Sequence, residues 1–162
     1  MPHPIFPTTP TPIKVENTDK GCVHWFNFSN LNMTDASTMD YVHPCIIIGK
    51  FRPKQNRVII SPITGVSNRL VENGKLKYPY HAALTVQDNS FLEKDSVVLL
   101  DQVFTIAKSD LCEEWFMGKV RNTQSIDQAI FYNFDLFESI HEAFNELLIQ
   151  YKGEYSKRFS RK

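Results

Sequence analysis

The segment from Tyr41 to Thr64, YVHPCIIIGKFRPKQNRVIISPIT, constrains the fold more than any other part of the 162-residue chain. Two runs rich in β-branched residues, Cys45 to Phe51 and Arg57 to Ile63, suit buried strands, and Arg52-Pro53-Lys54-Gln55-Asn56 between them has turn-forming and cationic residues. This predicts a β-hairpin with a basic tip. At its open ends stand two groups fit for chemistry: His43, restrained by the following Pro44, and the hydroxyl of Thr64, where the second strand stops.

A chain of this length is expected to form one domain that buries roughly two thirds of its unfolded surface. Eighteen basic residues balance eighteen acidic ones, so there is no global field for nucleic acid, and any such site must be a local patch. Cys22, Cys45 and Cys112 are odd in number and unclustered, which argues for buried thiols in a reducing cytoplasm and against a disulfide framework or zinc site. The apolar runs fall short of the roughly 20 residues that cross a bilayer, and no secretory signal is visible, so a cytoplasmic protein is expected.

Along the chain, the first 19 residues include the proline-rich MPHPIFPTTPTP and are expected to be a disordered tail. Gly21 to Phe28 alternates like a strand, and Ser29 to Tyr41 reads as a long polar loop, a lid or a plain linker. Gly65 to Pro79 is a second polar loop carrying Arg69, Lys75 and Lys77, and Tyr80 to Val86 a further strand. Ser96 to Ile106 is apolar apart from Asp101 and Gln102, whose burial in one strand would be costly without partners. Asp110 and Glu113 suggest a short capped helix closed by Gly118. From Ser125 to Tyr151, apolar residues recur at steps of three and four, which predicts one amphipathic helix of about 26 residues spanning about 39 Å, with Asn133 as the place for a kink. Its aromatic stripe suits core or dimer packing, and residues 153–162 form a basic tail beyond the domain of residues 20–152.

Six short strands with a helix behind them point to a mainly β, α+β fold, a small bent sheet or barrel. GCVHWFNF, YVHPCIIIGKF, VIISPIT and EKDSVVLLDQVFTIAKSDL, in that order, resemble the successive motifs of the PemK/MazF family of toxin endoribonucleases. The resemblance implies an SH3-like barrel with a C-terminal helix and a homodimer. It also implies cofactor-free, metal-independent cleavage of single-stranded RNA such as mRNA at a short sequence, by 2′-OH attack that leaves a 2′,3′-cyclic phosphate, and inhibition by a cognate antitoxin. His43 stands where the family has Arg, Phe104 where it has a basic residue, and Cys22 in place of an early Asp.

Metal-free RNA cleavage needs a base for the 2′-OH, a donor for the leaving 5′-oxygen and hydrogen bonds to the phosphorane. Histidine can fill either proton-transfer role near neutrality. His43 and Thr64 are therefore the expected catalytic pair, with Lys50, Arg52 and Arg69 as candidate RNA-binding cations. Gln102 matches a family Gln that either reads a base or braces the barrel, while His24 and His81 read as structural. Lys50, Arg52, Arg69, Lys75 and Lys77 are the expected seat of an acidic antitoxin segment. A degenerate RNA- or protein-binding module and a CcdB-like poison of a protein target are the alternatives.

Overall fold

The computed structural model describes residues 4–31, 41–51, 55–134, 145–147 and 149–150. Its centre is the expected hairpin, β2 (Val42–Lys50) and β3 (Arg57–Gly65), paired antiparallel from Lys50 opposite Val58 to Cys45 opposite Pro62. β1 (Cys22–Asn27) flanks β2, and β9 (Phe116–Lys119) flanks β1. On its other edge β3 is long enough to hold two partners in succession. Arg57 to Ile60 pair with β8 (Phe104–Ala107), and Ile63 to Gly65 pair with β7 (Ser96–Leu99), which carries β6 (His81–Leu84) outside it. Register shifts between Ile47 and Gly49 and between Val23 and His24 add the local twist that curls such a sheet.

Both sheet faces are apolar, because β-branched residues fill consecutive positions of β2 and β3. One face gathers Val23, Ile46, Ile63, Val98 and Leu100 beneath Ile126 and Ala129 of the helix α1 (Gln124–Asn133). The other gathers Phe26, Phe28, Cys45, Ile47, Val58, Ile60 and Ile106. Three cysteines are buried as free thiols, as expected, and burial pushes the Cys45 thiol pKa up. Among the described residues no helix is long and apolar enough to cross a membrane.

Three local readings differ from expectation. Ser96 to Ile106 is two strands, because Asp101 and Gln102 sit in a turn closed by the Gln102 N–H donating to the Leu99 carbonyl (2.9 Å). The turn removes the cost of burying Asp101, whose carboxylate instead meets His81 Nε2 at 3.0 Å. Within the expected loop 65–79, Asn73 and Gly74 take φ of 51° and 74° and close a small hairpin of β4 (Val71–Glu72) and β5 (Lys75–Leu76), as an Asn-Gly pair favours. The short helix at Asp110 is two 3₁₀ turns, Lys108–Asp110 and Glu113–Trp115, and Gly118 lies inside β9. α1 ends at Asn133, the place given for a kink, where the Phe134 N–H donates to the Ile130 carbonyl at 3.0 Å, and residues 145–147 and 149–150 are again helical. Residues 135–144 and the basic tail lie outside the described residues.

The largest departure is at the N-terminus. Residues 4 to 14, expected as disordered tail, run across the sheet end as an extended strap that leads into a 3₁₀ turn, Val15–Thr18. Proline removes backbone donors there, and carboxylates nearly a hundred residues away take up several of those that remain. Glu114 accepts from the Thr11 N–H (3.0 Å), and Glu113 accepts from the Lys14 N–H (2.7 Å) and Asn17 Nδ2 (3.0 Å). Phe6 packs edge-on against Trp115 with ring centroids 4.8 Å apart. Hydrogen bonds from Lys14 and Asn17 hold the Glu113 carboxyl below its ordinary range.

The strap also closes over His24, a fully buried side chain whose Nε2 lies 2.7 Å from the Asn17 carbonyl. Burial lowers its pKa below the ordinary 6.5, so the folded chain takes a proton there less readily than the unfolded chain does. Stability is then fully present above about pH 6.5 and falls as pH drops below it, at up to about 1.4 kcal/mol per pH unit. Urea titrations between pH 7 and 5 are expected to show this slope, and His24→Asn is expected to flatten it.

Candidate functional site

The site is made where the hairpin comes apart. Pro44 and Pro62 have no N–H to donate, so the β2–β3 ladder ends at Cys45 opposite Pro62. Beyond that point β2 stays with β1 as far as Val42, while β3 turns to β7 through Gly65. Carried two residues outward, the same register sets His43 across from Thr64, on opposite lips of the gap. The gap is a cavity of about 210 Å³, and both residues line it, each half-buried. The expected pair is therefore brought together.

Its remaining walls come from elsewhere in the chain. Trp25 of β1 and Met117 of β9 form an apolar side with Leu92 and Ile63. Ser96, Glu93 and Lys94 come from the start of β7 and the turn before it. Lys94 is the residue that sequence reasoning missed. Its side chain lies across Gly65: a Cβ built there would sit 2.5 Å from Lys94 Cε and 2.8 Å from Nζ. Glycine is needed at position 65 for that close approach. Lys94 makes no salt bridge among the described residues. Gly65 paired with Ser96 is what carries it to Thr64, and the spacing of Thr64 and Lys94 in sequence gives no hint of this.

Two of the three expected cations, Lys50 and Arg69, do not join the cleft. Lys50 stands at the far end of β2, seven residues from His43 and thus about 23 Å along the strand. There it pairs with Asp19 at 2.5 Å and holds that carboxyl below its ordinary pKa. Arg69 is exposed in the turn before β4, outside the residues that line the cavity. Arg52 lies outside the described residues, as does most of the expected lid, residues 32–40. Gln102 is half-buried in the β7–β8 turn, away from the cleft lining. His81 is buried against Tyr78 and Tyr80 and meets Asp101, which fits its structural reading.

A cleft whose described lining offers the His43 imidazole, the Thr64 and Ser96 hydroxyls, the Glu93 carboxylate and the Lys94 ammonium can move a proton, hydrogen-bond an anionic oxygen and hold its charge. An endoribonuclease from a mycobacterial species has the same fold, at 16% identity and a TM-score of 0.50 over 72% of this chain and 89% of that one. A second mycobacterial endoribonuclease, in complex with its cognate antitoxin, aligns at 17% identity and a TM-score of 0.49 over 72% and 94% of the two chains. The Mycobacterium tuberculosis toxin MazF-mt6 aligns at 21% and 0.49 over 70% and 96%. The model of the PemK-like, MazF-like toxins of type II toxin-antitoxin systems matches residues 19–130, from just before β1 to within α1, and the chain belongs to that family.

Proposed function

We propose that this chain is a toxin that cuts single-stranded RNA without a metal, in the cleft between His43, Thr64 and Lys94. The observation that supports this reading most is the placement of His43 and Thr64 on facing lips of one cavity, at the position where the family has Arg beside Thr. Neutral His43 takes the proton of a ribose 2′-OH. The freed oxygen attacks the neighbouring phosphorus, the bond to the 5′-oxygen breaks, and that oxygen takes a proton from water at the open mouth. The products are a 2′,3′-cyclic phosphate and a 5′-hydroxyl. Thr64 donates its hydroxyl hydrogen to a phosphoryl oxygen, and Lys94 holds the negative charge that grows on the phosphorane. Histidine thus takes over proton transfer, while the fixed positive charge of the usual arginine moves to a lysine on the neighbouring strand.

The assignment of Lys94 makes its seat testable. Gly65→Ala is expected to push the flexible lysine off β3 while leaving stability within about 0.5 kcal/mol of the parent, since only a side-chain end must move. Its RNA affinity should fall as in Lys94→Ala, with the slope of log affinity against log salt reduced by about 1 in both. An unchanged slope in both variants removes Lys94 from the phosphate.

As a member of a toxin-antitoxin family the chain takes an antitoxin, and exposed Arg69, Lys75 and Lys77 suit an acidic segment of it. A second copy fits over Tyr132 and Phe134, which are 52% and 49% exposed at the end of α1. The reading as a whole is tested by incubating the purified chain with a long single-stranded RNA in EDTA. Specific fragments ending in cyclic phosphate support it. Intact RNA beside a folded protein overturns it and favours a binding module, and inhibition of a protein target instead favours a CcdB-like poison.

A further inference from the structure

Alternation along β1 puts Cys22, His24 and Phe26 on one face, and the N-terminal strap with the 3₁₀ turn that ends it lies over that row. The Glu16 carbonyl accepts from the Cys22 thiol at 3.6 Å, the Asn17 carbonyl meets His24 Nε2 at 2.7 Å, and Phe6 shares a cavity with Phe26. Asn17 is the clamp. Its carbonyl holds the ring while its side-chain amide donates to Glu113, which also accepts from the Lys14 N–H. Residues 4–18 precede residues 19–130 that the family model matches, so the clamp belongs to this chain's own N-terminal segment.

A carbonyl can only accept, so His24 Nε2 carries the hydrogen and the neutral ring leaves Nδ1 bare. Nδ1 is buried and has no hydrogen-bond partner among the described residues. Cys45 of β2 and Phe116 of β9 stand opposite His24 in the two flanking ladders, and the Phe116 ring packs with its centroid 5.2 Å away. Backbone pairing fixes both neighbours, so the strap is the side from which water can reach the ring with the sheet intact. The charged group that faces the ring is Glu113, with the Lys14 ammonium beside it, and both Glu113 oxygens are already engaged by Lys14 and Asn17. The titratable neighbours Cys22 and Cys45 are thiols that burial keeps neutral. A second proton, on Nδ1, therefore has no acceptor until water enters.

We infer that the strap is an acid-released latch, shut over neutral His24 and lifted when Nδ1 takes a proton. Lifting brings water to the ring and uncovers the Cys22, His24 and Phe26 row together with Trp115, while the sheet stays paired. The ring is neutral when the latch is shut and free to charge when it is open. Opening is therefore favoured as pH falls below the ordinary histidine value of about 6.5, by up to about tenfold per pH unit. Glu113 and Glu114, which also hold the strap, titrate below the ordinary carboxylate range and keep their charge through this window.

Native-state hydrogen exchange of the full chain between pH 7 and 5 tests the latch, each rate being divided by the intrinsic chemical rate at the same pH. Protection of the Lys14 and Asn17 amides, which donate to Glu113 and to the Lys14 carbonyl, is expected to fall by up to about tenfold per pH unit. At every pH these amides should be less protected than those of β2 and β3 by on the order of a hundredfold, because the sheet stays paired. His24→Gln keeps a donor for the Asn17 carbonyl but takes no proton, so its strap protection should not change with pH. Constant strap protection in the parent overturns the latch, and so does an unchanged pH dependence in His24→Gln, which would assign the opening to another group. Equal protection of strap and sheet overturns it as well, since the opening would then be global unfolding. Should His24→Gln fail to fold, NMR of the parent decides: the His24 ring signals and the Asn17 amide shift must titrate with one midpoint, and separate midpoints overturn the latch.

Discussion

His43→Ala is expected to lower the rate of RNA cleavage by about 10²- to 10⁴-fold, the usual range for loss of a positioned acid or base. The substitution falls on a half-buried side chain at the lip of a cleft, so the fold should survive it. Thr64→Val keeps the shape of the side chain and removes the hydroxyl, and about 10²- to 10³-fold is expected for one lost donor to the developing charge. The two residues serve one transition state, so the double variant should lose much less than the product of the single losses. The pH profile separates the roles. In the parent, kcat/KM should rise with an ionisation in the histidine range; in His43→Arg that inflection should vanish, because guanidinium keeps its charge throughout. An inflection that persists in His43→Arg would assign proton transfer to another group, and Glu93 is the other carboxylate or imidazole lining the cleft. Gel-resolved cleavage of a defined RNA measures all of these.

Ile46→Ala is expected to cost about 2–5 kcal/mol, the largest stability effect of any substitution considered. Ile46 is fully buried at the middle of β2, opposite Val23 on one side and Ser61 on the other, in the same cluster as Ile126 of α1. Truncation there removes methyl groups from the contact between sheet and helix. The surrounding positions are held by backbone ladders on both sides and by the Ser61 hydroxyl, which donates to the Leu99 carbonyl at 2.7 Å, so they cannot collapse into the space. Chemical denaturation measures the loss, and a cost under about 1 kcal/mol would mean that this core is looser than its burial indicates. Ile46→Val should cost only about 0.5–1.5 kcal/mol.

What was legible in the sequence follows from which forces act locally. β-branched runs locate the central hairpin to within three residues at its strand ends, and Pro44 and Pro62 mark where its ladder ends, so His43 and Thr64 could be placed at its open end, while the resemblance to the family is what paired them. Lys94 could not be found that way, because its place depends on β3 exchanging β8 for β7 partway along its length. The strap was misread for a similar reason. Prolines remove local hydrogen bonds, and the partners that order this segment, Glu113 and Glu114, are distant in sequence and present no periodic signal. In Ser96 to Ile106 the composition is that of one apolar strand with two polar residues, and the Gln102 N–H bond to the Leu99 carbonyl is what makes Asp101 and Gln102 a turn between two strands. Lys50 has the charge for an RNA contact, but residue type does not reveal distance along a strand, and Asp19 neutralises it there.

The central claim is that a ribose hydroxyl attacks the phosphorus in the His43–Thr64 cleft without a metal. The most direct measurement cleaves a short RNA holding one mapped cut site, in EDTA, beside the same RNA with a single 2′-deoxyribose on the 5′ side of that bond. The account requires the all-ribose strand to be cut, leaving a 2′,3′-cyclic phosphate, and the deoxy bond to stay intact. Equal cutting of both strands would make water the nucleophile and would contradict the role given to His43.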